Sequence, residues 1–202
     1  MRRRYLMIAL ALVAVCGAGV EAEDDLSSRV ESALARANDN ATQLRMALDD
    51  APEEQREGVR FLVAYMPERD LRSLSRDFLL NNVRCAYQAW KEAPWKDRVP
   101  KQVFLNDVLP YASINERRDD WRADFYQRFK PLVADAESPA RAAVILNQKI
   151  FGRLKVRFSR ERPRPYQSPY QTIEANAVPG RIETTCTTIC WPCWSIPKQH
   201  VR

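Results

Sequence analysis

The sequence predicts a mainly α-helical protein, in which a helical array is followed by one short strand and an irregular C-terminal tail. Apolar residues recur every three or four positions from residue 26 to about residue 154, which is the period of amphipathic helices. Leu154, Val156 and Phe158 then alternate with polar residues, as in a half-buried strand. From Val178 to Arg202 neither period is sustained.

The first 22 residues have the organisation of a secretory signal peptide. Arginines follow Met1, an apolar run extends from Tyr5 to Val15, and small residues precede the acidic Glu23. This order is typical of an export signal, and the run is shorter than the roughly 20 apolar residues of a spanning helix. We expect cleavage after Ala22, a periplasmic or extracellular location and no transmembrane segment. A lipid anchor on Cys16 is the alternative.

Three helices are predicted before residue 94. Leu26 to Asp50 contains neither Gly nor Pro and has the pattern of one long amphipathic helix. Pro52 and two glutamates begin the second helix, since proline and acids are favoured in the first turn, and it ends before Pro67. Asp70 is the predicted cap of the third, which Pro94 ends. The expected apolar stripes of the last two helices are Val59, Leu62, Val63, Leu71, Leu74, Phe78, Leu79, Val83, Ala86 and Trp90.

Three further helical segments are predicted up to Leu154. A short buried helical turn lies between two prolines, within Val99 to Tyr111. Asn115 to Asp120 opens the next helix, and Ser138 caps the last one, with proline at its first position. The apolar residues of these segments are Val103, Phe104, Leu105, Val108, Leu109, Trp121, Phe125, Phe129, Leu132, Val144, Ile145, Ile150 and Phe151.

The net charge of +6 is concentrated in one segment. Residues 151–170 hold six Lys and Arg residues against Glu161. We interpret them as the solvated face of a strand, Lys155 to Phe158, and a proline-rich connector from Arg162 to Pro169; an anion site is the alternative. Nucleic-acid proteins usually spread basic charge over a face, so we expect no nucleic-acid partner. The predicted division is a helical domain over 23–154, strand and connector over 155–177, and tail over 178–202.

Three cysteines, Cys186, Cys190 and Cys193, crowd the C-terminus. Their spacing coincides with that of radical iron–sulfur enzymes, but there the motif opens a large barrel, and only nine residues follow Cys193. With His200 they offer four zinc ligands, although the tail lacks the two tight ligand pairs of a zinc site. A disulfide between two of the three is favoured, and the sequence does not specify the pairing. We expect no metal and no cofactor.

The sequence contains no complete active site. His200 is the single histidine and lies near the end of the chain. Glu116, Asp119 and Asp120 lie together at a predicted helix start, where the helix dipole favours acids, so we interpret them as capping rather than catalytic. A Gly-rich phosphate loop, a nucleophile elbow and a helix-borne His pair are all missing from the sequence. We therefore assign no catalytic, cofactor-binding or metal-binding residue.

Four segments resemble the helical leader region of exported bacterial transglutaminase-like proteins. They are Phe61 to Asp70, Val103 to Tyr111, Asn115 to Arg122 and Gln167 to Glu174. The specific part is Val-Leu-Pro-Tyr in the second segment with Asn-Glu-Arg-Arg-Asp-x-Trp-Arg in the third. The resemblance extends over about residues 55 to 175.

The resemblance implies a papain-like thiol enzyme in complete relatives, either transglutaminase-like or thiol-protease-like. Such enzymes carry a cysteine at the start of a core helix, then a histidine and an aspartate on following strands. The helix dipole and the histidine lower the pKa of the thiol, so that a thiolate attacks a carboxamide or peptide carbonyl. In the resembling proteins this cysteine follows a few residues after the segment that matches Ser168 to Glu174.

This chain departs from that pattern directly after Glu174. Residues 176–181 contain no cysteine but do contain Pro179, which cannot lie within a helix, and Cys186 comes several residues late. A shifted reading frame near Ala177 is one explanation, because Ile182 to Pro197, back-translated with G/C-rich codons, can encode a Leu- and Val-rich helix in another frame.

We therefore expect the N-terminal helical part of an exported transglutaminase-like cysteine enzyme, truncated before its Cys-His-Asp core and inactive. We expect its tail to be mobile and dispensable. The alternative is a complete exported helical module that binds a protein or peptide partner through aromatic residues such as Trp90, Trp95 and Trp121.

Overall fold

A computed structural model of the chain describes residues 25–113, 115–155, 157–159, 168–174 and 177–179. The prediction of a mainly helical protein is confirmed. Two compact units are present, one reaching to Arg76 and one starting at Asp77. In the described part of the chain, no helix is long and apolar enough to cross a bilayer. The predicted signal peptide and the tail from residue 180 onward lie outside the described residues.

The first unit is built from four helices that precede its boundary. Helix α1 covers residues 25–36, α2 covers Ala41–Asp49, α3 covers Glu53–Tyr65 and α4 covers Glu68–Leu71. Pro52 directly precedes α3, as predicted. The buried residues of this unit include Leu34, Leu44, Val59, Leu62, Val63 and Leu71.

The prediction of one long helix from Leu26 to Asp50 is wrong. A 3-10 turn at Asn38–Asn40 separates α1 from α2, and Asn38 has a φ of 52°. Asparagine tolerates this left-handed conformation better than most residues. The Nδ2 of Asn40 donates to the carbonyls of Leu71 and Leu74 at 2.8 and 2.9 Å. These long-range hydrogen bonds favour the break over the local helical preference.

The predicted cap of the following helix is also wrong. Asp70 lies inside α4 and is fully buried, and its backbone carbonyl accepts from the Leu74 amide at 3.0 Å. Helix α5 covers Arg76–Glu92. The amide of Arg76 donates to Oε1 of Gln43 at 3.0 Å. A side chain from α2 therefore satisfies the first amide of α5, which a local sequence pattern does not report.

Helical segments also form most of the described part of the second unit. Beyond α5, a 3-10 turn at Lys96–Arg98, helix α6 at Lys101–Val103 and a π-helical turn at Phe104–Val108 follow. The short buried helical turn predicted between the prolines is therefore confirmed. Helix α7 covers Arg122–Phe129, and a 3-10 turn follows at Lys130–Leu132. The fully buried side chains of this unit include Leu79, Val83, Phe104, Leu109, Phe125, Phe129 and Leu146.

Helix α8, Pro139–Leu154, begins as predicted. The Ser138 hydroxyl oxygen accepts from the Arg141 amide at 3.2 Å, so a serine cap precedes a proline at the first position. The buried positions of α8 include Ala142, Leu146 and Ile150, whereas Val144 is 46% exposed. Its buried stripe therefore differs from the predicted one at Val144.

Two three-residue strands follow α8. Strand β1, Arg157–Ser159, pairs in parallel with strand β2, Ala177–Pro179, with Arg157 opposite Ala177. The sequence predicts one short strand here, whereas the structure pairs that strand with a second one. Parallel pairing requires a crossover connection, and this one contains helix α9, Pro169–Glu174, at the end of the predicted connector. Val178 and Pro179, assigned to the irregular tail, belong to β2.

Candidate functional site

In the second unit, the motif loop, residues 115–121, is held by several side-chain hydrogen bonds. The predicted helix start at Asn115 to Asp120 is wrong, because α7 begins only at Arg122. Glu116 is buried, and its Oε1 accepts from the Ser113 amide at 2.5 Å. Both carboxylate oxygens of Asp120 accept from Asn81 Nδ2, at 2.7 and 2.6 Å. The acids therefore hold the loop in place and do not cap a helix.

Arg122 joins the end of this loop to the turn that precedes it. Its side chain is buried at 3% exposure. Nη1 donates to the carbonyl of Val108 at 3.0 Å, Nη2 to that of Pro110 at 2.8 Å, and Nε to Asn82 Oδ1 at 2.8 Å. Asn82 in turn donates to the carbonyl of Leu109 at 2.9 Å. One guanidinium therefore donates to several acceptors in the interior of the unit, where polar groups need hydrogen-bond partners.

Asp119 connects the motif loop to the segment that begins at Ser168. Arg117 donates to both of its carboxylate oxygens, from Nε at 2.5 Å and from Nη2 at 3.1 Å. The Ser168 hydroxyl donates to Oδ2 of Asp119. Ser168 is fully buried, and the Asp119 side chain is 11% exposed. These two residues are 49 positions apart in the sequence.

Ser168 also caps helix α9. Its amide donates to Gln171 Oε1 at 3.0 Å, and its hydroxyl oxygen accepts from the Gln171 amide at 3.2 Å. This reciprocal pair is a capping box. The amide and hydroxyl of Thr172 both donate to the Ser168 carbonyl, each at 3.0 Å. Every polar group of Ser168 is therefore hydrogen-bonded within the protein.

Further contacts hold α9 beyond its cap. The hydroxyl of Tyr170 donates to Asp124 Oδ2 at 3.2 Å, and its ring meets Phe125 edge-on at 5.8 Å between centroids. Burial, followed by the charge of Asp124, raises the pKa of Tyr170. Glu174 lies 3.8 Å from Arg117 Nη2. We call the surface formed by Arg117, Asp119, Asp124 and Phe125 the α9 docking site.

A separate ionic cluster surrounds Glu92 at the end of α5. Lys130, Tyr126 and Gln88 all donate to its carboxylate, Tyr126 at 2.5 Å and Gln88 at 2.9 Å. The Lys130 hydrogen bond, then that of Tyr126, lowers the pKa of Glu92 to about 2. Burial, then the bond to Glu92, raises the pKa of Tyr126 to about 12. Neither group exchanges protons readily near neutral pH, where general acid–base catalysis operates best.

Among the described residues, Cys85 is the single cysteine. It is buried and forms no disulfide. Its thiol lies 3.8 Å from Asn81 Oδ1, and burial raises its pKa. Such a thiol is a poor nucleophile, because the reactive form is the thiolate. In the ranges that the structure describes, no group of three or more His, Cys, Asp and Glu side chains is arranged to hold a metal. Cys16, Cys186, Cys190, Cys193 and His200 lie outside these ranges.

The aromatic residues proposed for partner binding contribute to the interior. Trp95 and Trp121 are 3% and 4% exposed. Trp90 is half-buried and stacks on Phe104, with centroids 4.3 Å apart and an interplanar angle of 16°. The stacked Trp90–Phe104 pair and the edge-on Trp121–Phe125 pair are arrangements typical of core aromatics. They offer little surface to a partner.

A shallow groove of about 470 Å³ lies in the first unit, between α1, α2 and α3. Its charged lining residues are Glu31, Asp49, Arg56 and Arg60. Arg60 donates to the hydroxyl of Ser27 at 2.7 Å, and Arg56 pairs with Glu53 at 2.5 Å. The lining has equal numbers of acids and arginines and therefore no excess of one charge to select a ligand.

Sequence reasoning identified the motif loop through its resemblance, but it missed the roles of Arg122, Asn82 and Ser168. A local signal existed for Ser168, because Ser-Pro-Tyr-Gln is a capping-box pattern with proline at the first position. No local signal reports the partners of Arg122, since they lie 12 to 40 positions away. Comparisons with protein-family models, with curated proteins and with solved structures found no match to this chain.

Proposed function

We propose that this chain is the N-terminal helical part of an exported transglutaminase-like cysteine enzyme and that it is inactive as it stands. In a complete relative, this part would hold the segment that leads into the thiol-bearing core. The proposal begins from the resemblance, and one structural observation carries it further. Three of the resembling segments form a single hydrogen-bonded cluster.

The contacts within that cluster connect the segments pairwise. Arg122 of the motif segment donates to the carbonyls of Val108 and Pro110 in the Val-Leu-Pro-Tyr segment. Asp119 of the motif segment accepts from Ser168, which lies in the segment Gln167 to Glu174. These mutual contacts join the segments into one structural unit, which holds Ser168 to Glu174, and they support the proposal.

The chemistry of the described side chains supports the proposed inactivity. Catalysis of this class requires a thiolate activated by a neighbouring base. The Cys85 thiol has the opposite environment, since burial raises its pKa. The acid with the most strongly lowered pKa, Glu92, is held by Lys130 and Tyr126 in an ionic cluster. The alternative, a binding module that uses its tryptophans, gains no specific support from residues as buried as Trp95 and Trp121.

The coding DNA tests this proposal most directly. We expect the bases after the codon of Glu174, read in another frame, to encode a small-residue stretch with a cysteine, an apolar helix, and then strands carrying His and Asp. If every reading frame reaches a stop codon within a few codons, the proposal is wrong.

An activity assay tests the second half of the proposal. The purified chain should not incorporate a primary-amine probe into a glutamine-containing protein, and it should not cleave a peptide substrate. A preparation in which Cys85 is replaced by Ala serves as the matched control. Amine incorporation that is abolished by this replacement would contradict the proposed inactivity.

A further inference from the structure

Helix α9 depends on its surroundings for its position. It contains six residues, Pro169–Glu174, whereas isolated helices shorter than about 12 residues are marginal in water. Its capping box supplies local hydrogen bonds, but these fix only its first turn. The contacts with the α9 docking site must therefore determine where the helix lies.

Asp119 is the centre of that docking site. The two bonds from Arg117 fix the plane of its carboxylate, and such a bidentate pair is geometrically specific. The Ser168 hydroxyl has one proton to donate, and Asp119 accepts it. The oxygen of that hydroxyl then presents a lone pair to the Gln171 amide. Asp119 thus orients the cap of α9 as well as anchoring it.

Tyr170 supplies a second point of attachment, two positions after Ser168. Its hydroxyl and its ring contact Asp124 and Phe125 of α7. Two attachments at different positions around one helical turn fix the rotation of α9 about its axis. The chain leaves α9 at Glu174 and enters β2 at Ala177. The orientation of α9 therefore contributes to the position at which β2 starts, together with the pairing of β2 with β1.

We infer that Asp119 is a positioning residue, which through Ser168 and α9 fixes the segment that starts after Glu174. This inference rests on the proposed function, in which complete relatives carry their reactive thiol a few residues beyond that point. Asp119 does not touch the reacting atoms in this arrangement. Its role is to set the place from which the thiol-bearing segment begins, by a hydrogen bond across 49 positions of sequence.

Hydrogen exchange on the full-length chain tests the inference. In Asp119→Ala, the amides of Gln171 and Thr172 should exchange about tenfold faster or more, as expected for loss of a hydrogen bond to a charged group. The β2 amide that pairs with β1 should lose protection as well, which a purely local loss at the cap would not cause. Amides within α5 should keep their parental rates. In Asp119→Asn, which retains an oxygen acceptor, the rates should return towards parental values.

The phenol of Tyr170 provides a spectroscopic signature. Undocking in Asp119→Ala removes Tyr170 from the buried position beside Asp124, so its raised pKa should fall towards the ordinary tyrosine value of 10.0. Tyr170→Phe identifies its contribution in an ultraviolet titration. Asp135→Ala, an exposed acid of the same unit, is the matched control and should change neither the exchange nor the titration.

The outcomes separate this inference from the proposed function. If the α9 and β2 amides of Asp119→Ala exchange at parental rates, the inference is wrong whatever the coding DNA encodes. If the amides of α5 accelerate together with those of α9, Asp119 supports the whole unit and the positioning role is wrong. If α9 alone undocks but no frame encodes a cysteine core, Asp119 still positions α9, and the proposed function is the part that fails.

Discussion

The guanidinium of Arg122 and the carboxamide of Asn82 form a buried pair, with Arg122 Nε donating to Asn82 Oδ1 at 2.8 Å. The pair joins α5 to α7, and both residues also bond to carbonyls of the turn at Val108 to Pro110. We expect Arg122→Leu to lower the free energy of unfolding by about 3 kcal/mol, because several buried acceptors lose their donor. Urea unfolding followed by circular dichroism measures this change.

The control for that prediction is Arg128→Leu in the same helix. Arg128 is 49% exposed and pairs with Asp124 at 2.7 Å, so its loss should cost at most about 0.5 kcal/mol. Equal losses for the two variants would show that the Arg122 network contributes no more than a surface ion pair.

The Glu92 cluster should make stability depend on pH at acidic values. The pKa of Glu92 is lowered from 4.5 to about 2, first by the Lys130 hydrogen bond and then by that of Tyr126. A carboxyl group whose pKa is lower in the folded state stabilises the protein at any pH above its pKa in the unfolded state. This stabilisation is lost as the pH falls through its pKa in the folded state. The difference in free energy of unfolding between the parent and Glu92→Gln should therefore be larger at pH 7 than near pH 2.

Urea unfolding of both proteins at the two pH values tests this expectation. Glu137→Gln replaces an exposed acid of the same unit. Its free energy of unfolding should differ from that of the parent by the same amount at both pH values. A Glu92→Gln difference that does not vary with pH would contradict the role assigned to the cluster.

The left-handed conformation of Asn38 gives opposite expectations for two substitutions. At a φ of 52°, glycine is free of strain, so Asn38→Gly should leave stability unchanged or raise it slightly. Asn38→Val should lower the free energy of unfolding by about 1–2 kcal/mol. In a continuous helix the order would be reversed, since glycine is a poorer helix former than valine. Thermal unfolding of the two variants distinguishes a broken helix from a continuous one.

The tail should be dispensable for the helical units. Trimming the chain after Pro179 retains β2 and removes three cysteines and two tryptophans. A segment rich in proline, without a sustained apolar period, gains little burial to offset its ordering entropy. We expect the melting temperature to be unchanged within error. A fall of several degrees, or stoichiometric zinc lost together with the tail, would show that the tail is a structural element.

Processing of the N-terminus tests the proposed export. Expressed in a bacterium with an active secretory pathway, the protein should be recovered outside the cytoplasm with Glu23 as its first residue. Intact-mass spectrometry measures the cleavage site. Cys16→Ala should be processed identically, because that thiol leaves with the signal peptide. A mature chain that begins with an acylated Cys16 would support the lipid-anchored alternative instead.

Elements with local signals were predictable from the sequence. The start of α3 is signalled by Pro52 followed by two glutamates, and the start of α8 by Ser138 followed by Pro139. Both helices begin at these positions. The break at Asn38 was not predictable in this way. It depends on hydrogen bonds from Asn40 to carbonyls 31 and 34 positions away, which the local helical period does not report.

The candidate site shows the same division. The resemblance drew attention to the motif loop and to Ser168 to Glu174 as separate segments, but no period or spacing indicates that Asp119 and Ser168 are partners. The three acids of the loop suggested a helix start because acids are common there. The partners of these acids are Ser113, Asn81, Arg117 and Ser168. They hold the loop outside a helix, and α7 starts only at Arg122.

The 49 positions between Asp119 and Ser168 also order events during synthesis. A ribosome adds about 5–20 residues per second, so roughly 2–10 seconds separate the emergence of the acid from that of its serine. Helices and short loops form in microseconds, far faster than this interval. Asp119 is therefore synthesised seconds before Ser168. During that interval we expect its carboxylate to lack the hydrogen bond from the Ser168 hydroxyl.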